Sequence, residues 1–518
     1  MNGDLSQLLP LLGYMVFMIG ISVFIRYQQQ HSGLMQNFVR TYFIGNRDLG
    51  GFVLAMTTVA TYSSVSSFVG GPGVAWNVGF GWVYMAVVQV TAVFLVLGIF
   101  GKRVALLARK FDAVTVIDII RRRYNSDLLA EISACIIVLF FCATMVAQFV
   151  GGAKLFEAVT GYSYVTGLVL FGLMVVVYTT IGGFRAVAVT DTCCALMMMF
   201  GIVMLVYFVL ETGGGYENII AGIEARHPEM LEPLSGGKMP YGLYFTQWIL
   251  VGICTIALPQ SVVRGLAFKD NKSLVRAMLI GTFVVGFMNI GVNLTGILGQ
   301  GVLTGELSQY GGSDNIIPRI VVTAMPPTLA SIAIIGPLAA SISTISSLLL
   351  VGSSAIIKDV YLHRHEKQWM DSHQNKITAN QDSCGVAEEL KQNPVSDTKL
   401  RALSMLATAV LGVVVFLIAL TPPSLIWLIN MFAFGGLETA FFWTLLLGLY
   451  WSRANKMGAM LSMVGGTVVY CLTQGLGFKL MGLHQITIGI TVSLLLFLLG
   501  SYWGKPESDE VLEEFFPK

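Results

Sequence analysis

Apolar runs of about 20 residues, the length that crosses roughly 30 Å of hydrocarbon, recur along almost the whole chain, parted by short polar or basic interruptions. The pattern predicts an all-α polytopic membrane protein with about 13 transmembrane helices. Their apolar cores, spans one to thirteen in chain order, are Leu8–Ile25, Gly51–Gly70, Trp82–Phe100, Leu129–Phe149, Val165–Thr180, Val189–Leu210, Leu243–Val262, Val275–Leu298, Leu329–Ile357, Leu403–Leu420, Leu425–Leu449, Met457–Leu476 and Ile486–Tyr502. The first lacks a basic leader and a small-residue cleavage site, so it is expected to be a retained helix and not a removed signal peptide.

Three spans stand out for the polar residues within them. Span two places seven Ser/Thr hydroxyls and Tyr62 between Thr57 and Ser67, then runs into Gly70, Gly71, Pro72 and Gly73. Span seven contains Thr255, Pro259 and Gln260, and span nine the run Ala340 to Ser347. Polar backbone at bilayer depth is tolerated only where it is buried in protein or lines a cavity, so spans two and seven read as interrupted helices around an internal site. The interruptions stand five spans apart. A unit with an odd number of spans reappears upside down, which predicts two inverted copies, spans two to six and seven to eleven, with their breaks meeting near the midplane. The chain then divides into 1–50, a first helix and its loop; 51–210, the first repeat; 211–449, the second; and 450–518, two accessory helices and a tail. The polar stretch 363–399 reads as a flexible cytoplasmic linker, and 211–240 as a solvated outer loop or short lid.

Composition agrees with this picture: 55% of the 518 residues are hydrophobic and 12% charged, which excludes a water-soluble globule. Lys and Arg concentrate in cytoplasmic loops. With the N-terminus outside and the C-terminus cytoplasmic, 26 of the 31 basic residues fall inside, leaving Lys154, Arg226, Lys238, Arg319 and Lys479 outside. The clusters 102–123 and 358–401 are therefore topology signals more than nucleic-acid or lipid sites. Cys135, Cys142, Cys193, Cys194, Cys254 and Cys471 fall within helices and Cys384 in the linker, so no disulfide framework is expected. There is no His-Glu-x-x-His, no Gly-x-Ser-x-Gly and no facing pair of mid-membrane carboxylates, which argues against an enzyme. No cofactor, nucleic acid or obligate protein partner is implied, and the partners expected are a small solute, an ion and membrane lipid.

The chemistry concentrates in span nine. Residues three and four apart share a helix face, so the Ser343 and Thr344 hydroxyls lie beside the Ala340 carbonyl. Hard cations take several oxygen ligands, and the Ala60 and Ser63 carbonyls, released where span two breaks, would complete a five-oxygen cage for sodium. The alternative is back-bonding of each hydroxyl to the carbonyl four residues earlier. One turn on, Ser346 and Ser347 join Ser343, and Asp191 at the start of span six either caps its helix or, with those serines, holds a second cation.

The runs TYSSVSSFVGGPG (61–73), YTTIGGFRAVAVTD (178–191), SISTISSLLLVGSSAIIKDVY (341–361) and GLYWSRANKMGAMLSMVGG (448–466) resemble the sodium/solute symporter family, over nearly the whole chain. The resemblance implies a LeuT-like fold of inverted five-helix repeats with broken helices, no enzymatic activity, and sodium-coupled import across the plasma (inner) membrane by alternating access. YFIGNRDLGG (42–51), GGPG and FGGLE (434–438) are most similar to the pantothenate-carrying branch; proline or another small carboxylate is the alternative, and a sodium channel or transporter-like sensor the competing class. A channel would conduct sodium without substrate, and a sensor would need a signalling domain for which the tail after Trp503 leaves no room. Carried over, the family's sodium site falls on Ala60, Ser63, Ala340, Ser343 and Thr344, a second sodium on Asp191, Ser343, Ser346 and Ser347, and the substrate pocket on Ser64, Ser67, Gln89, Thr255 and Asn430. Gln89 and Asn430 have packing readings of equal weight, and Trp427 and Trp443 read as packing residues. Tyr62 and Gln260 depart from the family pattern.

A monovalent carboxylate moving with one sodium carries no net charge; a second sodium adds the voltage, worth about 2.3 kcal/mol per 100 mV, and predicts electrogenic uptake. No Lys or Arg is expected at midplane depth, leaving the half-helix N-terminus after the span-two break to hold the carboxylate.

Overall fold

The computed structural model describes residues 5–31, 38–377, 395–421 and 426–517. Cys384, the linker residues 378–394 and the side chain of Trp427 lie outside the described residues. Among those described, ten helices are long and apolar enough to cross a membrane, and two bent pairs form spans two and seven: Gly51–Tyr62 with Ser66–Val78 (65°) and Tyr241–Ala257 with Pro259–Ala267 (48°). Spans five and six share one helix, Tyr164–Thr212. It does not run straight, because Gly183 adopts φ 65°, ψ −170° and Tyr178 faces both Asp191 and Cys194, which a straight helix would hold about 20 Å or more away. A Cβ at Gly183 would sit 2.8 Å from the Tyr42 ring. Two crossings hinged at a glycine account for the gap between the helices counted by length and the spans read from sequence.

Span nine is the axis of the bundle. Every residue from Ile335 to Ser354 is buried, and spans two, four, six and ten pack around it. The span-two break lies at Ser63, which is extended (φ −90°, ψ 123°), so the polar run and not the glycines interrupts the helix. Gly70 and Gly71 are helical; the cluster serves close packing, since a Cβ on Gly73 would lie 1.9 Å from the Ser313 carbonyl oxygen and one on Gly296 2.1 Å from that of Pro72. In span seven Leu258 is extended and Pro259 opens the next turn, where its missing N–H leaves nothing unpaired.

Gln148 of span four holds the first break open. Its Oε1 accepts the freed Val65 N–H at 2.9 Å, its carbonyl accepts the Ser341 hydroxyl at 2.8 Å, and its Nε2 reaches Asn430 Oδ1 at 3.4 Å. Gln148→Leu is expected to lower stability by about 1–3 kcal/mol, the cost of leaving a buried donor unmet; thermal unfolding of the detergent-solubilised protein measures it, and an unchanged midpoint would mean that Val65 finds another acceptor.

Two loop expectations change. The linker begins as a helix, His363–Ile377, because its charges find partners at the start of span four: His363 and Lys367 meet Asp127 at 2.8 and 2.5 Å, and Arg364 makes two 2.8 Å hydrogen bonds to Glu131. The outer stretch carries helix Tyr216–Arg226 and a turn packed on Gly79, whose added Cβ would meet the Met230 carbonyl oxygen at 2.3 Å. The basic cluster 102–123 binds helix ends: Arg123 donates to the carbonyls of Gly448, Trp451 and Ala454, Arg121 to Asp359. Arg122 chelates Glu514 of the tail helix Asp509–Phe515, holding that carboxyl below its ordinary range.

Candidate functional site: an oxygen cage beside a narrow cavity

Where span two breaks, its freed carbonyls face span nine. The Ser343 hydroxyl donates to the carbonyls of Ala60 and Ala340, both at 3.1 Å, and the Thr344 hydroxyl to those of Ser63 at 3.0 Å and Ala340 at 2.9 Å. The structure thus brings Ala60, Ser63, Ala340, Ser343 and Thr344 together, each buried. Back-bonding and convergence coexist here, because each hydroxyl serves its own helix and the neighbouring one. Three carbonyls and two hydroxyls, all neutral, form a donor set of the kind an alkali cation accepts.

One turn along span nine the outcome differs. Asp191 is fully buried within a helix and caps nothing; Thr57 donates to its Oδ2 at 2.6 Å. Arg264, 1% exposed, stands beside it: Nη2 lies 3.5 Å from Asp191 Oδ2 and 2.5 Å from Ser347 Oγ, and Nη1 donates to the Gln260 carbonyl at 2.9 Å. The Ser346 hydroxyl turns back to the Ser343 carbonyl at 3.0 Å. The cation gathered by Asp191 and Ser347 in this conformation is therefore a guanidinium. It also corrects the expectation that no basic residue lies deep in the bundle, although Arg264 faces Asp191 and does not line the neighbouring cavity. Arg264 follows Pro259 by five residues, and charge counting assigns it to the inner loop; the short half-helix Pro259–Ala267 instead folds it inward.

On the other side of the span-two break lies a cavity of about 40 Å³. Ser64, Ser67, Gln89 and Asn430 line it as expected, together with Tyr62. Thr255 does not: its hydroxyl turns to the carbonyls of its own helix at 3.3 and 3.4 Å, and its carbonyl faces the Tyr62 hydroxyl at 3.4 Å. Sequence reasoning missed Asn289, Asn293, Ser66 and Trp82, which also line the cavity. Two asparagines one helical turn apart in an apolar span were the available signal. Asn293 keeps Oδ1 without a partner among the described residues while its Nδ2 donates to the Asn289 carbonyl at 2.8 Å. Small-molecule sites usually enclose about 300–1,000 Å³, so a solute enters this one only if the surrounding spans part. Trp443 packs, donating to the Ile490 carbonyl at 2.9 Å.

Relatives identify the family. The chain is 39% identical to the sodium/pantothenate symporters of Haemophilus influenzae and Escherichia coli, in each case over 97% of both chains. It is 26% identical to the Escherichia coli sodium/proline symporter over 92% of this chain and 90% of that one. Among solved structures, a Na+-coupled sialic acid symporter superposes with a TM-score of 0.76 at 18% identity, covering 98% of this chain and 99% of that one, and thus shares the fold. The sodium:solute symporter profile matches residues 42–379 and 387–466. The chain belongs to the sodium:solute symporter family and is a membrane-embedded, sodium-coupled transporter.

Proposed function

We propose that the protein imports pantothenate, with one sodium held by Ala60, Ser63, Ala340, Ser343 and Thr344 and the solute in the cavity lined by Ser64, Ser67, Gln89 and Asn430. The observation that carries the reading is the shared break: the Ser63 carbonyl serves the cage and Ser64 the cavity, on consecutive residues of one extended segment. An ion that draws the Ala60 and Ser63 carbonyls toward span nine fixes the start of the helix Ser66–Val78, and with it the wall of the cavity. Coupling is then the differential affinity of the ion for the state in which that wall is set. The choice of pantothenate rests on the relatives at 39% identity and on the lining, which offers hydroxyls and amides to a solute rich in hydrogen-bonding groups. The same reading puts the N-terminus outside and the C-terminus in the cytoplasm, in keeping with the basic residues expected in inner loops.

A tenfold sodium gradient supplies about 1.4 kcal/mol. The place for a second sodium, at Asp191, Ser343, Ser346 and Ser347, becomes open to it only when the Arg264 guanidinium leaves. Vesicles with sodium imposed on one side are expected to accumulate labelled pantothenate, with proline and acetate competing weakly. Accumulation without a sodium gradient, or equal competition by proline, would overturn the assignment. Current recorded under substrate reads the stoichiometry: one sodium with one monovalent carboxylate moves no charge, two move one.

A further inference from the structure

Glu438 is the one fully buried acid of span eleven, and nothing in the sodium cage or the Arg264 pair uses it. Neither of its carboxyl oxygens has a hydrogen-bond partner among the described residues. It lies one helical turn beyond Phe434 and two beyond Asn430 and Met431, three residues that line the cavity, on the side leading toward Tyr450. The titratable groups within electrostatic reach of it come from three different spans: Tyr62 of span two, Cys254 of span seven and Tyr470 of span twelve. None is a cation. Tyr62 belongs to the cavity lining, and its hydroxyl meets the Thr255 carbonyl at the span-seven break. Glu438 thus sits just past the cavity, where both interrupted helices and span eleven converge.

An ionised carboxylate with no donor or cation beside it is among the costliest groups to bury, and an acid within a membrane span points to function by default. A carboxylic acid that keeps its proton has a different use: one O–H to donate and an oxygen to accept. An anionic solute moving from the cavity toward the Tyr450 end would be repelled by a second charged carboxylate there, and no lysine or arginine lines the cavity to receive it. We infer that Glu438 is a substrate-contacting residue that acts as a neutral hydrogen-bond donor to an oxygen of a small carboxylate solute as the cavity opens toward the Tyr450 end of the bundle. The proton stays on Glu438 through the cycle, so no proton is carried with the solute.

The inference rests on the proposed small-carboxylate substrate, and the test separates the two. Wild-type uptake of pantothenate, proline and acetate first decides which solute is carried; the Glu438 variants are then compared with wild type on that solute. Glu438→Gln, which keeps a neutral donor, is expected to retain uptake within about threefold, the scatter usual for context effects on a conserved hydrogen bond. Glu438→Leu is expected to raise the substrate KM about tenfold, the equivalent of one lost hydrogen bond of ordinary strength, with the sodium dependence unchanged. Replacing an unpartnered buried carboxyl by leucine does not weaken packing, so thermal unfolding of the Leu variant at or above wild type excludes misfolding as the cause. Uptake by wild type is expected to fall at alkaline pH, and that fall to be absent in Glu438→Gln. Wild-type KM in Glu438→Leu, or an alkaline fall identical in wild type and Glu438→Gln, overturns the inference.

Discussion

Thr344→Ala is expected to raise the sodium concentration for half-maximal uptake by about ten- to a hundredfold, with maximal uptake recovered at high sodium. Thr344 supplies one cage oxygen and anchors two more, since its hydroxyl reaches the carbonyls of both Ser63 and Ala340. A hydrogen-bonding contact to a charged group is worth about 1.5–3 kcal/mol, and each 1.4 kcal/mol is about tenfold in affinity. Ser343→Ala should act in the same direction, because Ser343 holds the Ala60 carbonyl. Thr344→Ser, which keeps the hydroxyl, should retain most of the affinity. Labelled-substrate uptake across a sodium series reads all three, and an unshifted sodium dependence in Thr344→Ala would refute the cage.

The second large effect is expected at Arg264. Its guanidinium ties the half-helix Pro259–Ala267 to span six through Asp191 and to span nine through Ser347, all within the buried interior. Removing one member of a buried ion pair leaves the other charge unmet, at a cost of about 3–5 kcal/mol. Arg264→Gln and Asp191→Asn should each unfold at a markedly lower temperature than wild type. The double variant Asp191→Asn with Arg264→Gln, which keeps the shapes and removes both charges, should recover most of that loss. A double-mutant cycle on the purified protein measures it, and strictly additive losses would show that the two side chains do not stabilise one another.

The cage was legible in the sequence because its two parts are local: a hydroxyl run dense enough to break a helix, and a Ser-Thr pair one turn after Ala340. The interrupted helices could be placed for the same reason. What escaped depends on tertiary packing. Arg264 reads as a loop cation because it follows a proline near the end of an apolar run, and only the 48° bend of span seven turns it inward. Gln148 reads as an ordinary polar residue of span four until the Val65 amide is found 2.9 Å from it. The Gly70–Gly73 cluster looks like a helix breaker, yet those glycines are helical, and Gly73 admits the backbone at Ser313. Thr255 failed as a cavity residue because its hydroxyl had a nearer acceptor in its own helix.

The hydroxyls of Ser343 and Thr344 lie within hydrogen-bond distance of the very carbonyls that would ligate an ion. Lodging sodium there means swinging those O–H bonds aside, so two internal bridges are exchanged for one metal-like centre, and the exchange runs backward on release. These bridges tie span two to span nine. An ion entering there would have to displace them, so filling the site would change how those two spans are joined.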